Sequence, residues 1–333
     1  IDMNTKEYIL TKLVENHDRY ISGELLATEL GVTRAAVWKA IRELASDRIE
    51  IDALRNQGYR LTDSARVRGM NLMLGCERIS NYLEHKIPVK VWRTLDSTNN
   101  TARELASEQS DKCDALIVAA AQTAGKGRMG RSFYSPEGCG LYVTLLVHPE
   151  CDATESVKLT CAAAVAAARA IDYLLGEQEA RIKWVNDIYL RGKKVAGILT
   201  EGQLSIESGQ LEYAVVGVGV NLLAPDGGYP EEIRQRAGAI FESRASLPDD
   251  IYNRLAAQFT NEYFKIYPGL EPADFLDEYR ARSFIIGRTV TVFRGNDSWD
   301  AEVVAINDDF SLSVRSADGK IERLSSGEVT LKV

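Results

Sequence analysis

The sequence has few of the residues that build disulfide frameworks and zinc sites. Its five cysteines include no C-x-x-C pair, and its three histidines lie far apart along the chain. Long apolar runs are also absent, since the longest, around residues 162–168, is a short alanine-rich segment that ends at Arg169. No basic stretch followed by an apolar one marks the N-terminus. We therefore expect a reduced, cytoplasmic protein with no protein-held metal and no membrane partner.

An excess of positive charge is absent as well. With 40 basic and 48 acidic side chains the formal charge is -8, which argues against a chain that binds nucleic acid along its whole length. Any DNA binding must therefore come from a local basic surface. The length of 333 residues exceeds that of one typical core, so we expect two or three domains.

The pattern along the chain divides it into three predicted domains, which together make an α+β protein. Residues 1–65 are predicted to form a winged helix-turn-helix, residues 66–282 a mixed β-sheet with flanking helices, and residues 283–333 a small β-barrel, with a polar linker at 62–69. In the central domain strands are predicted at 115–121, 141–147, 182–190 and 213–220, and helices at 99–108 and 157–175. In the last domain strands are predicted at 289–293, 301–306, 312–315, 321–324 and 329–333.

The winged helix-turn-helix is indicated by its capping residues and its apolar spacing. Gly31 is typical of a helix C-cap and Thr33 of the next N-cap. The apolar residues of the second helix share one face: Val37, Ile41 and Leu44. No acid occurs between Thr33 and Arg42, which favours DNA over protein as the partner of the opposite face. The predicted DNA contacts lie on that face and on the wing: Arg34, Ala35, Lys39, Arg42, Arg55 and Arg60.

A glycine-rich loop at residues 122–131 follows a predicted strand. Gly125, Gly127 and Gly130 match G-x-G-x-x-G, but a dinucleotide site needs a helix to begin at the third glycine, and a strand-like segment follows instead. A Walker P-loop is absent. The loop does carry three cations between its glycines: Lys126, Arg128 and Arg131. Such a loop suits a phosphate or carboxylate, although a solvated turn with incidental charges has the same composition.

Two further clusters are candidates for ligand contacts. The segment 183–187 reads Lys-Trp-Val-Asn-Asp and is followed by a second lysine-containing stretch at 193–199. Asn-Asp alone is also a turn signal, and a lysine pair is also a solvated face. The third element, Ser97-Thr98-Asn99, precedes a predicted helix and fits an N-cap run as well as a binding motif.

Taken together, these motifs resemble the biotin protein ligase family, in family order and at similar spacing. The matching segments are 97–99, 125–131, 183–187, 194–197 and 217–221. The resemblance extends over the winged helix and the C-terminal domain, and it implies the biotin ligase catalytic fold with a C-terminal SH3-like β-barrel. The chain departs from the family at Lys126 and Met129, where arginine is usual, at Val185, where proline is usual, and at Phe133, where tryptophan is common.

The resemblance implies specific site residues. Those implied for biotin are Ser97, Thr98, Asn99, Gln122, Lys126, Gly127, Arg128 and Lys194. Those implied for ATP and the adenylate are Arg131, Phe133, Asn186 and Asn221. Those implied for catalysis are Arg128, Lys194 and Asp187.

The implied activity is that of a bifunctional ligase and repressor. Such a protein forms biotinyl-5'-AMP from biotin and ATP, with Mg²⁺ held mainly by the phosphates, and transfers biotin to a lysine of the biotin carboxyl carrier protein. It also binds operator DNA and represses biotin synthesis genes, as a homodimer when it holds the adenylate. The alternatives are a ligase without repression, a lipoate or octanoyl transferase, and a transcription factor with a ligand-sensing domain.

Overall fold

A computed structural model describes eleven stretches of the chain. They are residues 5–16, 18–46, 49–62, 74–108, 112–152, 155–205, 208–243, 246–270, 273–295, 297–325 and 327–331. The chain forms two compact units, one made of Ile1–Gly75 with Phe241–Arg254, the other of Cys76–Ile240 with Leu255–Val333. The predicted linker lies outside the described residues after Thr62. No described helix is both long and apolar enough to cross a membrane.

The N-terminal unit contains the predicted helix-turn-helix and its wing. Its elements are α1 (Thr5–Glu15), α2 (Gly23–Leu30), α3 (Arg34–Ser46), β1 (Ile51–Leu54) and β2 (Gly58–Leu61). Both predicted caps are confirmed, because Gly31 ends α2 with φ 66° and the Thr33 hydroxyl accepts a hydrogen bond from the Ala36 amide at 3.2 Å. Helix α1 was not predicted, and its fully buried Ile9 and Leu13 enlarge the core beneath α3.

The second unit is built on a seven-stranded sheet with flanking helices. Its elements are α4 (Cys76–Tyr82), β3 (Val89–Leu95), α5 (Thr98–Glu108), β4 (Ala115–Gln122), β5 (Gly140–Val147), α6 (Ser156–Leu175), β6 (Arg181–Lys183), β7 (Asp187–Leu190), β8 (Lys193–Leu204), β9 (Leu211–Asn221), α7 (Glu231–Arg234), α8 (Ile251–Ile266, of which the residues from Leu255 on belong to this unit) and α9 (Leu276–Arg282). The strand order is β3-β4-β5-β9-β8-β7-β6. Strands β3 and β4 are parallel and the other pairs antiparallel, which confirms the predicted mixed sheet.

Helices α5 and α6 pack on opposite faces of this sheet. On one face, Thr144 of β5 is the register partner of Gly217 in β9, and its hydroxyl donates to Asn99 of α5 at 2.7 Å. On the other, Thr160 of α6 donates to Thr200 of β8 at 2.9 Å. Because side chains alternate along a strand, each strand contributes every second residue to the α5 face. Gly217, Gly219 and Asn221 of β9 fall on that face.

The sequence prediction was wrong for residues 182–190, which were taken as one strand. They form a hairpin in which β6 and β7 pair antiparallel, with Lys183 opposite Asp187 and residues 184–186 in the turn. Apolar residues lie on both sides of Asn186-Asp187, so the segment was taken as one strand although Asn-Asp is a turn signal. The Trp184 side chain in this turn is buried, and its indole N–H donates to the Phe310 carbonyl at 2.8 Å.

The C-terminal strands form a five-stranded antiparallel sheet. They are β10 (Thr289–Arg294), β11 (Asp297–Ile306), β12 (Leu312–Ser316), β13 (Ile321–Leu324) and β14 (Glu328–Leu331), in the order β13-β12-β11-β10-β14. Each of these strands was predicted, although residues 332–333 of the last one lie outside the described residues. Phe310 connects this sheet to the rest of the unit, because its ring stacks on Phe275 at 5.1 Å and meets the edge of Tyr279 at 5.5 Å.

Candidate active site and DNA-binding surface

A cavity of about 420 Å³ opens on the α5 face of the large sheet. It is bounded by the start of α5, the glycine-rich loop, the β6–β7 hairpin, the adjoining parts of β8 and β9, and the segment 229–237. All residues predicted to contact biotin or ATP, or to act in catalysis, line this one cavity: Ser97, Thr98, Asn99, Gln122, Lys126, Gly127, Arg128, Arg131, Phe133, Asn186, Asp187, Lys194 and Asn221. The fold thus brings together motifs that are far apart in the sequence.

The charges of this cavity are mostly positive. Its cationic lining residues are Lys126, Arg128, Arg131, Lys183, Lys194 and Arg236. Among the described lining residues Asp187 is the one carboxylate. This excess of cations suits a ligand that carries several negative charges.

Asp187 joins two of the lysines. Its Oδ1 lies 2.6 Å from the Lys194 Nζ, and its Oδ2 lies 3.9 Å from the Lys183 Nζ. The Lys183 and Asp187 side chains are largely buried, whereas 30% of the Lys194 side chain is exposed to the cavity side. Lys194 is also fixed through its backbone, because its amide donates to the Arg236 carbonyl at 2.8 Å. The Lys194 ammonium group therefore faces the cavity with its direction set by Asp187.

Arg128 anchors the glycine-rich loop at two points. One guanidinium nitrogen donates to the Asn186 Oδ1 at 3.2 Å, and the other donates to the Gly327 carbonyl at 3.2 Å. Gly327 lies in the C-terminal sheet region with φ 125°, a conformation that favours glycine. Lys126, on the same loop, donates to the Asn100 Oδ1 of α5 at 2.6 Å. Nothing in the sequence marked Gly327, because its contact depends on the packing of the C-terminal sheet against the loop.

The amides of Gln122 and Asn99 are fixed by hydrogen bonds within the protein. The Gln122 Oε1 accepts from the amide and the hydroxyl of Thr98, at 2.8 and 3.1 Å, and its Nε2 donates to the Ser135 hydroxyl at 3.1 Å. Asn99 is buried, and its Nδ2 donates to the Leu199 carbonyl at 3.2 Å and to Glu201 at 2.8 Å. Asn99 therefore ties α5 to the sheet, besides lining the cavity.

Two glycines form the floor under Phe133. Gly197 of β8 and Gly219 of β9 are register partners, and we call this pair the glycine floor. A Cβ on Gly219 would lie 2.5 Å from Cε1 of the Phe133 ring, and one on Gly197 would lie 3.2 Å from its Cε2. Likewise, a Cβ on Gly217 would lie 2.1 Å from the Asn99 Oδ1. The glycines of the 217–221 motif are thus explained by close approach of side chains, and not by turns.

The segment after β9 closes one side of the cavity, and sequence reasoning did not assign it to the site. Tyr229 donates to the Gly238 carbonyl at 2.8 Å, and the Asn221 Nδ2 donates to the same oxygen at 3.0 Å. Burial raises the pKa of Tyr229 to about 12, so its hydroxyl remains a donor at neutral pH. The further lining residues of this segment that were not predicted are Ile233, Gln235 and Arg236. They carry no motif that a single sequence could reveal.

Helix α3 presents the predicted DNA-binding face to solvent. Its buried side consists of Val37, Ala40, Ile41 and Leu44. Arg34, Ala35, Lys39 and Arg42 are exposed, and Arg55 is exposed in the turn of the wing. Arg60 differs from the others because it is half-buried, lies 3.2 Å from Asp52 across the hairpin, and covers the Tyr20 ring at 4.8 Å. The structure thus places Arg60 in a contact with its own domain.

Trp38 is a surface residue of α3 that the sequence prediction missed. Its side chain is 53% exposed, and the Arg42 guanidinium lies over its ring at 4.8 Å from the centroid. The signal was present, because Trp38 falls outside the spacing of the apolar face. A large apolar side chain at an outward position is informative in a way that a buried one is not.

Comparison with known proteins agrees with this arrangement. Residues 91–221 match the biotin/lipoate A/B protein ligase family, and residues 5–60 match an HTH domain. The bifunctional ligase/repressor BirA of Bacillus spizizenii is 31% identical over 94% of this chain and 94% of its own. This chain belongs to the bifunctional ligase/repressor family.

Other members and solved structures extend the agreement. The bifunctional ligase/repressor BirA of Escherichia coli is 28% identical over 99% of this chain and 98% of its own. A biotin protein ligase from Aquifex aeolicus, solved in complex with biotin and ATP, has a TM-score of 0.56 at 24% identity and covers 74% of this chain and 98% of its own. The latter shares the fold. Membership in the bifunctional ligase/repressor family accounts for the pairing of a helix-turn-helix with a ligase fold in one chain.

Proposed function

We propose that this chain is an ATP-dependent biotin protein ligase that also represses transcription. It condenses biotin with ATP to biotinyl-5'-AMP, transfers biotin to a lysine of the biotin carboxyl carrier protein, and binds the operator of biotin synthesis genes. The observation that carries the ligase proposal is the single cavity that is lined by cations from three separate motifs and by Asp187, which pairs with two of its lysines. The functional domains we propose are residues 1–65 for DNA binding, 66–282 for catalysis and 283–333 for support of the loop.

In the first step a biotin carboxylate oxygen attacks the α-phosphorus of ATP, and pyrophosphate leaves. Both reactants are anions, so their approach depends on neutralisation of charge and not on an enzyme nucleophile. Lys194 is suited to the carboxylate because Asp187 fixes its ammonium group at 2.6 Å. Arg128 is suited to the phosphates because Asn186 and Gly327 hold its planar guanidinium in the loop above them.

In the second step the amine of the acceptor lysine attacks the acyl carbon of the mixed anhydride, and AMP leaves. Water attacks the same carbon, so the intermediate must be covered while it waits for the acceptor. The loop that carries Lys126 and Arg128 is already tied to α5 and to the C-terminal sheet region. These contacts support a role for the loop as a cover that excludes water.

The residues of the site fit a magnesium ion that arrives on the nucleotide. Among the described residues no group of three or more potential ligands is close enough to hold a metal ion. Asp187 is the carboxylate that faces the cavity, and both of its oxygens already face lysines. We therefore propose that Mg²⁺ is held mainly by phosphate oxygens, where it would neutralise charge on the triphosphate.

Release of pyrophosphate on addition of biotin and ATP tests the first half-reaction. We expect release with biotin and none with lipoate, and then ATP-dependent labelling of a biotin carboxyl carrier domain on its acceptor lysine. A carrier domain in which arginine replaces that lysine is the matched control. Pyrophosphate release with lipoate in place of biotin would assign the chain to the lipoate ligases of the biotin/lipoate A/B protein ligase family.

We propose that repression uses a homodimer that forms when the cavity holds biotinyl-5'-AMP. Each helix-turn-helix presents few basic side chains, and affinity for DNA comes largely from phosphate contacts, so two copies on paired half-sites are needed. The adenylate can promote DNA binding only as far as it binds the dimer more tightly than the monomer. Sedimentation with and without the adenylate, together with operator binding at fixed salt, tests this. Equal dimerisation in both states would refute it.

A further inference from the structure

Trp38 lies in the middle of the exposed face of α3. Residues four positions apart are neighbours on a helix, so Arg34, Trp38 and Arg42 form one row along it. The core contacts of the helix are made by other residues, including the buried Val37 and Ile41. With 53% of its surface in solvent, the Trp38 side chain adds little to this core. The ring is therefore accessible to a contact outside the domain.

Arg42 covers one face of the Trp38 ring. Its guanidinium lies 4.8 Å from the ring centroid, in the geometry of a cation–π contact. One face of the indole is thereby covered, and the remaining ring surface points away from the core. By contrast, Lys39 is 78% exposed and pairs with Glu43 only at 3.9 Å. Along this row Arg42 is held against the apolar ring of Trp38, and the solvated Lys39 lies beside them.

The charge around Trp38 favours a polyanion as the partner of this face. Arg42 lies over the ring, Arg34 and Lys39 are exposed on the same helix, and no acid occurs between Thr33 and Arg42. An indole cannot bind a phosphate as a cation does, and its apolar ring has one match on the base edges of the major groove. That match is the C5-methyl group of thymine.

We propose that Trp38 contacts the C5-methyl group of a thymine in the major groove, so that the chain selects an A·T pair at one position of each half-site. This inference rests on the proposed DNA-binding function and adds to it a residue that specifies sequence. Trp38 then contributes discrimination between sequences, whereas Lys39 contributes affinity for any duplex.

Selection from a library of random duplexes tests this and identifies the preferred sequence in the same experiment. The full chain, with biotin and ATP present, is used to enrich duplexes, and the enriched sequences are compared for the parent, Trp38→Ala and the control Lys39→Ala. We expect the parent to select a thymine at one position of each half-site. Trp38→Ala should lose that preference and keep the others, and Lys39→Ala should keep all preferences while binding every sequence more weakly.

Replacement of the selected thymine by deoxyuridine removes only the methyl group. We expect the affinity of the parent to fall about fourfold, as loss of one buried methyl group predicts, and that of Trp38→Ala to stay unchanged. In a plot of the logarithm of the binding constant against the logarithm of the salt concentration, Trp38→Ala should have the slope of the parent. In Lys39→Ala the magnitude of this slope should fall by about 0.9, because one phosphate contact is gone. Retained binding to unrelated duplex shows that the Trp38→Ala helix is folded.

The outcomes separate the inference from the function on which it rests. If the parent enriches no sequence, the proposed DNA binding fails and the inference fails with it. If the parent and Trp38→Ala enrich the same motif, or if deoxyuridine lowers the affinity of both equally, DNA binding stands and the assignment of Trp38 to the thymine is refuted.

Discussion

The glycine floor makes a quantitative prediction about the cavity. In Gly219→Ala the new Cβ would lie 2.5 Å from Cε1 of the Phe133 ring and 2.9 Å from its Cδ1 and Cζ. Carbon atoms in contact normally stand about 3.5 Å or more apart, so the ring must move by about 1 Å. The sheet blocks movement in one direction, and the movement that remains is into the cavity.

The expected cost falls on ligand binding. Insertion of a methyl group into a packed site costs about 1–3 kcal/mol, and each 1.4 kcal/mol corresponds to a factor of ten. Because the ring can move into open space, we expect the KM for ATP in the pyrophosphate-release assay to rise about tenfold. The thermal unfolding midpoint should change little for the same reason.

A double-mutant cycle provides the control. Phe133→Ala removes the ring, so Gly219→Ala in that background has nothing to displace. We expect the tenfold effect on the KM to disappear there. If Gly219→Ala raises the KM equally in both backgrounds, the effect does not pass through Phe133 and the reasoning is refuted.

Three further predictions concern the cations and the domains. Lys194→Ala should reduce pyrophosphate release by about 100-fold or more, because Asp187 loses its closest cation and the substrate carboxylate is not neutralised; normal release would contradict this. Arg128→Gly should still form the adenylate but release it faster in a filter-retention assay, because the loop loses its anchor on Gly327; an unchanged release rate would argue against the anchor. A chain that starts near Val67 should keep adenylate synthesis and lose DNA binding, since every predicted ligand residue follows residue 96; loss of synthesis would show that the two functions are coupled.

Local signals made most of the fold predictable from the sequence. Gly31 and Thr33 cap their helices as expected, and the strands with strong apolar runs, such as β4 and β5, were found close to their observed bounds. Strand β3 was missed because it pairs with a neighbour on one side only and none of its seven residues is fully buried. Helix α8 was missed although its apolar face is strong. Residues 182–190 were misread because the apolar residues on both sides of Asn186-Asp187 outweighed that turn signal.

The candidate site was predictable only as a set of separate motifs. The resemblance gave the residues that line the cavity, but their contacts depend on the packing of distant segments. The pairing of Lys194 with Asp187 follows from the β7–β8 register, and the contact of Arg128 with Gly327 follows from the docking of the C-terminal sheet. Neither can be read from spacing along the chain.

The bond between Arg128 and Gly327 also has a consequence for how the protein is made. The two residues are 199 positions apart, and Gly327 precedes the last strand of the C-terminal sheet. Chains are synthesised from the N-terminus and fold domain by domain in that order. The helix-turn-helix is therefore complete long before the loop over the ligase cavity gains its second anchor. A frameshift near the last strand would leave the sequence of the helix-turn-helix unchanged, but the loop would lose the hydrogen bond between Arg128 and Gly327. One mutation would therefore affect the two activities unequally.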